Sequence, residues 1–382
     1  MTAQKKRLRT RKKHYAKKMG LPPGTPMYIG DADITQLDKP KISKIAYNAT
    51  ELIECELNAE TLATFKLDDF ISTKKTGKKL WLNVHGVHDA ALIKQIGDIF
   101  KLHPLVVEDI LNTEQRPKID EFDDYIFLET RNFYYEKASL STSSEQISMV
   151  LSHNFLLTFQ ERATGAFEPV RERLRANHAH SRGQGVDYLA YALLDSVVDS
   201  YFKVLEDVSN DSEDLEDRLL NKPSNAELNN IHQLKHVSIE LRRAVWPLRE
   251  VINSLTRNEK AFFQPSTVPY LRDVYDHTVS FIESLESIRD SLSSMMDIYM
   301  ASVSQRVNLE LRALTVVAML FMPATLIAGI FGMNFNWMPW IDEKNGFWWA
   351  LGIMGGIAFV MIMIFWRRQW INRGTFSISK DD

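Results

Sequence analysis

Eleven residues in the last third of the chain fall on one line at alternating steps of four and three. They are Asp297, Ala301, Ser304, Asn308, Leu311, Thr315, Ala318, Met322, Thr325, Gly329 and Gly332. Such steps hold one face of a helix, and Leu314 shares the line where the period drifts. Two residues beyond its end stands Asn334, in Gly332-Met333-Asn334. Side-chain amide oxygens are neutral acceptors, and waters on a cation point their hydrogens outward. Asn308 and Asn334 therefore suit an ion that keeps its hydration shell. Mg²⁺ is such an ion, because it dehydrates reluctantly. A dense carboxylate ring would hold it too long, since conduction needs escapable binding. Leu311, Leu314 and Met322 would make apolar constrictions that gate by dewetting, and Gly332 would let backbones approach. The same run of small residues also suits plain packing between membrane helices.

An ion path needs helices long enough to cross a membrane. Residues 313–331 form an uncharged run of 19, and residues 347–366 a second of 20; about 20 apolar residues span the hydrocarbon core. Trp337, Trp340, Trp348 and Trp349 fit one interfacial belt, and Trp366 and Trp370 the other. Arg367, Arg368 and Arg373 follow the second span, whereas the connecting loop carries Asp342, Glu343 and one cation, Lys344. The positive-inside rule then predicts both termini in the cytoplasm of an inner or plasma membrane, with the loop of 332–346 outside. Two spans cannot enclose a water-filled channel, so the pore reading demands a ring of copies.

The seam extends well before the first span. From residue 269 to residue 331 the helical pattern meets no stop except Pro323, which a membrane helix tolerates. A helix that long must lie against others. Before it, residues 187–268 read as acidic helices, broken at Pro223, with Pro247 a kink or stop. Residues 43–186 read as an α/β domain: "KKLWLNVHG" and "NFLLTFQE" alternate like strands, "HDAALIKQIGDIFKL" has helical spacing, and "HPLVVEDILN" opens a short helix at Pro104. Residues 1–42 read as a basic tail, disordered in expectation, and 367–382 as a second basic tail.

Composition narrows the function. Net charge is −3 and there is one cysteine, so no internal disulfide or CxxC metal site can form. Residues 1–18 carry nine Lys or Arg and no acid, which suits a solvated tail or attraction to anionic lipid. No partner nucleic acid is expected. His232 and His236 share a helix face, but no third ligand is apparent; His85 and His88 straddle a strand end, and His178 and His180 read as loop. No Walker loop, GxGxxG, GxSxG or HExxH occurs, so neither an enzyme nor an ATP-driven pump is expected.

"LTVVAMLFMPATLIAGIFGMNF" resembles the CorA family of magnesium and cobalt channels, as do "VPYLRDVYDHT", "HQLKHVSIELRRAVWPLRE" and "HPLVVEDILNTEQRPK" upstream. The resemblance covers roughly residues 75–370. It implies a homopentameric funnel: an α/β cytoplasmic domain, a long helical stalk and two transmembrane helices. It implies a selectivity filter at Gly332, Met333 and Asn334, and regulatory Mg²⁺ or Co²⁺ between neighbouring cytoplasmic domains. Carried over by motif, Asp109 and Asp273 would form the main pair, and Glu108, Asp195 and His277 a second, weaker site. One departure is Trp340, where family members often carry an acid. Zinc transporters share the architecture and remain the alternative, with a non-transporting membrane scaffold as a third.

Overall fold

The structure is a computed structural model. It describes residues 20–30, 39–58, 61–62, 65, 78–176, 182–221, 223–257, 260–333, 339, 343–368 and 370. The chain divides into two units, residues 1–293 and 294–382.

The first unit is built on a seven-stranded sheet. Its strands are β1 (Lys41–Tyr47), β2 (Leu52–Leu57), β3 (Lys79–His85), β4 (Lys118–Glu121), β5 (Ile126–Glu136), β6 (Ser141–Leu151) and β7 (Phe155–Gln160). They lie in the order β2-β1-β3-β7-β6-β5-β4. Only β3 and β7 pair in parallel; every other neighbouring pair is antiparallel. A parallel pair needs a crossover, and the chain between β3 and β7 supplies it. There lie α1 (Ala90–Ile99), α2 (Pro104–Ile110) and the β4-β5-β6 meander. The two short helices start where the sequence predicts. Asp89 caps α1 by accepting from the amides of Ala91 and Leu92, and Pro104 opens α2. Gly97 lets them meet, since a Cβ there would lie 2.6 Å from a Val107 methyl.

Strand alternation gives the sheet two apolar faces. Leu80, Leu82, Val84, Phe127, Val150, Leu157 and Phe159 face α1 and α2 through Leu92, Ile93, Ile96, Val106, Val107 and Ile110. The opposite face presents Ile126, Leu128, Met149 and Leu151 to Ala190, Tyr191, Leu194, Leu255, Phe263 and Leu271. The helices carrying those last residues are α4 (Val186–Asn221), α5 (Asn225–Arg257) and α6 (Val268–Phe331); α3 (Glu168–Arg175) precedes them. Tyr201 of α4 is fully buried, with its hydroxyl donating to the Arg131 carbonyl of β5. Buried Asp187 ties the start of α4 to the start of α6, accepting from the Gln264 amide at 3.0 Å and the Thr267 hydroxyl at 2.6 Å.

Two local expectations change. Pro247 neither stops nor divides its helix, for α5 runs through it from Asn225 to Arg257. A mid-helix proline removes a hydrogen bond and crowds the preceding turn. The buried stripe of Val245, Leu248, Val251 and Ile252 continues across it, and that packing outweighs the local cost. The second change is at the N-terminus. Residues 1–19 lie outside the described residues, but part of the expected tail is ordered onto the sheet domain. The Ile29 amide donates to Leu111 O at 2.8 Å and the Thr113 amide to Ile29 O at 2.8 Å. Gly24, at φ +81°, lies so close to Pro104 that a Cβ would come within 2.8 Å of it.

α6 is one helix of 64 residues, about 96 Å long at 1.5 Å per residue. Among the described residues, its last turns and α7 (Gly346–Arg367), both in the second unit, are the two helical segments long and apolar enough to cross a membrane. Their apolar side chains are almost wholly uncovered by the chain itself. Phe347, Trp348 and Trp349 stand exposed at one end of α7 and Trp366 at the other. That amphipathic-ring placement matches headgroup depth. Trp337, Trp340, Asp342 and Arg373 lie outside the described residues.

Candidate functional site

Every residue of the predicted seam is exposed: Asp297, Ala301, Ser304, Asn308, Leu311, Thr315, Ala318, Met322, Thr325 and Gly329 on α6 and Gly332 just past its end, with Leu314 beside them. Helical continuity puts them on one face, as the spacing requires. Ala318, Met322, Thr325, Gly329 and Met333 line a shallow groove of about 660 Å³ together with Phe321, Leu326 and Ile330. The two threonines have their protons turned inward. Thr315 Oγ1 donates to Leu311 O at 2.7 Å, and Thr325 Oγ1 to Phe321 O at 2.9 Å. Their oxygens are left as outward acceptors, which the sequence alone does not reveal. The helix ends at Phe331; the Gly332 amide still reaches Ala328 O at 2.9 Å. A Cβ at Gly332 would press on that carbonyl at 3.1 Å. Asn334 lies outside the described residues, two positions past this exit.

The predicted metal ligands fall into two neighbourhoods of the first unit. Asp109, near the end of α2, is mostly buried, its side chain 15% exposed. One carboxylate oxygen accepts from Gln115 Nε2 at 2.7 Å and the other from Lys118 Nζ at 2.6 Å. Gln146 Nε2 fixes the Asp109 carbonyl at 3.1 Å. The neighbouring Glu108 carboxylate accepts from the Gly24 amide. Asp273, in contrast, is 63% exposed on α6, with Oδ2 4.0 Å from His277 Nε2. Asp109 and Asp273 are therefore not a pair within one chain.

His277 meets Asp195 and Asp199, with one donor atom of each lying within 4.8 Å of the others. Asp195 and Asp199 are four apart on α4, so one helix face presents both. Asp199 is absent from the sequence-predicted ligands, although this spacing signals it. Burial pushes the Asp195 carboxyl above its ordinary value, and the Asp199 charge pushes it the same way. His277 Nδ1 is buried without a hydrogen-bond partner. Two carboxylates that repel and an unpartnered imidazole nitrogen fit a divalent cation. Oxygens suit Mg²⁺, and the imidazole adds capacity for Co²⁺, Ni²⁺ or Zn²⁺. Glu108 does not join this cluster within the chain. Of the other histidines, His85 contacts Asn83 Nδ2 and the Arg162 carbonyl, and His236 lies 3.6 Å from Glu240. His178 and His180 lie outside the described residues.

Beneath Asp109 the sheet carries a buried polar patch. Glu129 is 1% exposed and its Oε2 has no hydrogen-bond partner. Burial, then the charge of Asp109, push its carboxyl up to about 9. Glu161, which accepts from the Gln146 amide, is pushed by burial up to about 7. The sign follows from linkage. Below the ordinary value of 4.5 both carboxyls are protonated whether the chain is folded or unfolded. As pH rises through the window to 7 and then 9, the unfolded chain has shed protons that the folded chain keeps. Stability therefore falls across that window. Glu129→Gln is expected to stabilise the protein by about 2 kcal/mol or more at pH 8, given 1.36 kcal/mol per pKa unit, with the gain vanishing near pH 4.5. Thermal unfolding of both proteins across pH checks this; an equal pH dependence would show that Glu129 does not carry it.

The model of the family described as CorA-like Mg²⁺ transporter protein matches residues 77–368. The chain belongs to the CorA family. The cobalt/magnesium transport protein CorA of Thermotoga maritima is 39% identical over 359 residues, covering 94% of this chain and 99% of that protein. Among solved structures, the complete CorA magnesium transporter of Methanocaldococcus jannaschii aligns with a TM-score of 0.71. It covers 86% of this chain and 98% of its own at 22% identity, a likeness of fold. The ZntB cytoplasmic domain of Vibrio parahaemolyticus has a TM-score of 0.52 at 12% identity, covering 69% of this chain and 99% of its own. CorA membership makes the exposed apolar helices membrane segments and the protein a divalent cation transporter. The fold itself does not choose the ion.

Proposed function

We propose that five copies of this chain form a channel for hydrated Mg²⁺, and also Co²⁺, in the inner or plasma membrane. Each copy contributes one α6 seam to the pore wall. The observation that carries this reading is the seam: a continuous exposed face whose polar members present mainly neutral acceptor oxygens and whose apolar members alternate with them. Rings of Asn334 and Asn308 grip the ion by its water, and rings of Leu311, Leu314 and Met322 close the path when it dries. Both termini are cytoplasmic. The driving force is the membrane potential, worth about 4.6 kcal/mol for two charges through 100 mV. No bond is made or broken in the passage.

Cytoplasmic Mg²⁺ closes the channel. Asp109 of one subunit and Asp273 of the next share an ion, and the Asp195, Asp199 and His277 cluster, with Glu108, supplies a second and weaker site. Asp273 is exposed and close to that cluster, so it is free to face a neighbour. Carboxylates from two subunits repel unless a cation lies between them, so bound Mg²⁺ favours the closed ring and its loss loosens it.

The His277 imidazole favours a second reading, a zinc transporter of the same architecture. Purified protein in vesicles, with an imposed potential and Mg²⁺, Co²⁺, Ni²⁺ or Zn²⁺ supplied singly, separates the two. Potential-driven uptake of Mg²⁺ and Co²⁺ is expected. Zn²⁺ uptake without Mg²⁺ uptake would establish the alternative, and no flux of any metal would leave a membrane scaffold.

A further inference from the structure

The Asp109 carboxylate already holds a cation. Lys118, the first residue of β4, brings its ammonium to 2.6 Å from Asp109 Oδ2 and 2.8 Å from Asp120 Oδ2. Its Nζ also sits 5.5 Å from the centroid of the Phe127 ring, which helps fix the side chain. Buried Glu129 adds a further carboxyl to its surroundings, and Gln115 occupies the other Asp109 oxygen. We infer that Lys118 is a tethered competitor for the divalent cation at Asp109, and that it sets the cation concentration at which that site fills. This deepens the reading of Asp109 as a regulatory ligand and rests on it.

A divalent ion can use Asp109 only by displacing the ammonium. Displacement is possible because Lys118 does not become a bare charge. Asp120, 2.8 Å from its Nζ, can retain it. The competitor thus raises the filling threshold without blocking the site. When the divalent ion leaves, the ammonium returns along a few ångströms of its own side chain. Asp109 is then never left as an unpaired, mostly buried carboxylate, a state that is costly. The exchange is one of an internal monovalent cation for an external divalent one. Swapping Lys118 for a neutral residue should therefore sharpen Mg²⁺ sensing, not abolish it.

The test uses the full-length protein and reads the Mg²⁺ concentration that half-protects it from limited proteolysis. Lys118→Met is expected to lower that midpoint about ten- to a hundredfold, the range for losing one hydrogen bond between charged groups. Arg116→Met removes the same charge two residues away at an exposed position and is expected to move the midpoint less than about twofold. Lys118→Gln, which can still donate to Asp109, covers the case in which the methionine variant fails to fold; the same direction is expected. Asp109→Asn is the arm for the underlying reading and should raise the midpoint. If Asp109→Asn shifts it while both Lys118 variants leave it in place, or if Arg116→Met lowers it as far as they do, the competitor is overturned and the site stands. If Asp109→Asn leaves it unmoved, the site reading fails and the competitor with it.

Discussion

Asn334→Ala is expected to abolish Mg²⁺ uptake in reconstituted vesicles, leaving less than about one hundredth of the wild-type rate. The magnitude comes from multiplicity. One lost hydrogen bond between an amide and a hydration water is worth about 0.5–1.5 kcal/mol. In the proposed ring of five the sum is several kcal/mol, and each 1.36 kcal/mol on a barrier is a factor of ten. Asn334→Asp is informative for the opposite reason. It keeps the acceptors but adds a ring of charge, so the ion enters readily and leaves slowly; reduced flux with tighter apparent binding is expected. Gly332 constrains the same region, because a side chain there would press on the Ala328 carbonyl. Both variants should keep the wild-type oligomer size, which separates a filter defect from misfolding. Wild-type flux in Asn334→Ala would remove the amide from the mechanism.

How much of this could be read before any coordinates depends on the range of the interaction. The long α6 helix, both apolar runs and the seam are local periodicities, and the structure keeps them. The short helix at Pro104 and the strands β3 and β7 also follow from local signals. β6 is harder, because Glu145, Gln146 and Ser148 are buried in it. A strand whose inward positions are polar hides its alternation; Glu145 accepts from Thr164 and Tyr134, and the Gln146 side-chain amide donates to the Asp109 carbonyl, Glu129 and Ser148. Read as a stop, Pro247 misleads for the same reason: a local rule yields to packing along the whole of α5. The pairing of residues 24–30 with the end of α2 is likewise tertiary, and composition reads that stretch as tail.

The proposed metal ligands divide along the same line. Asp195 and Asp199 carry a helix spacing that any reader can see, but only the fold brings His277 of α6 to them. Asp109 is legible as part of a motif, whereas its capture by Lys118 is not. Nine residues and a change from helix to strand separate the two. Nothing in "VVEDILNTEQRPK" states that the chain turns back so that the ammonium meets the carboxylate.

The double variant Asp109→Ala with Asp273→Ala is expected to keep conducting at internal Mg²⁺ concentrations that shut the wild-type channel. Ligand binding to one state stabilises it by about 2.7 kcal/mol when the ligand is at a hundred times its dissociation constant. Inverting a two-state balance from 1:99 to 99:1 takes about 5.5 kcal/mol. Two or three filled sites in a ring therefore suffice, and five give a steep response. Removing both carboxylates withdraws that free energy and leaves only the weaker Asp195, Asp199 and His277 cluster. Shut-off should then need a much higher Mg²⁺ concentration, and Mg²⁺ protection against proteolysis should shift in parallel. Adding Asp199→Ala should weaken what remains further, because His277 then has one carboxylate partner in the cluster instead of two. Normal shut-off in the double variant would place the sensor elsewhere in the protein, and the exchange at Asp109 would no longer bear on gating.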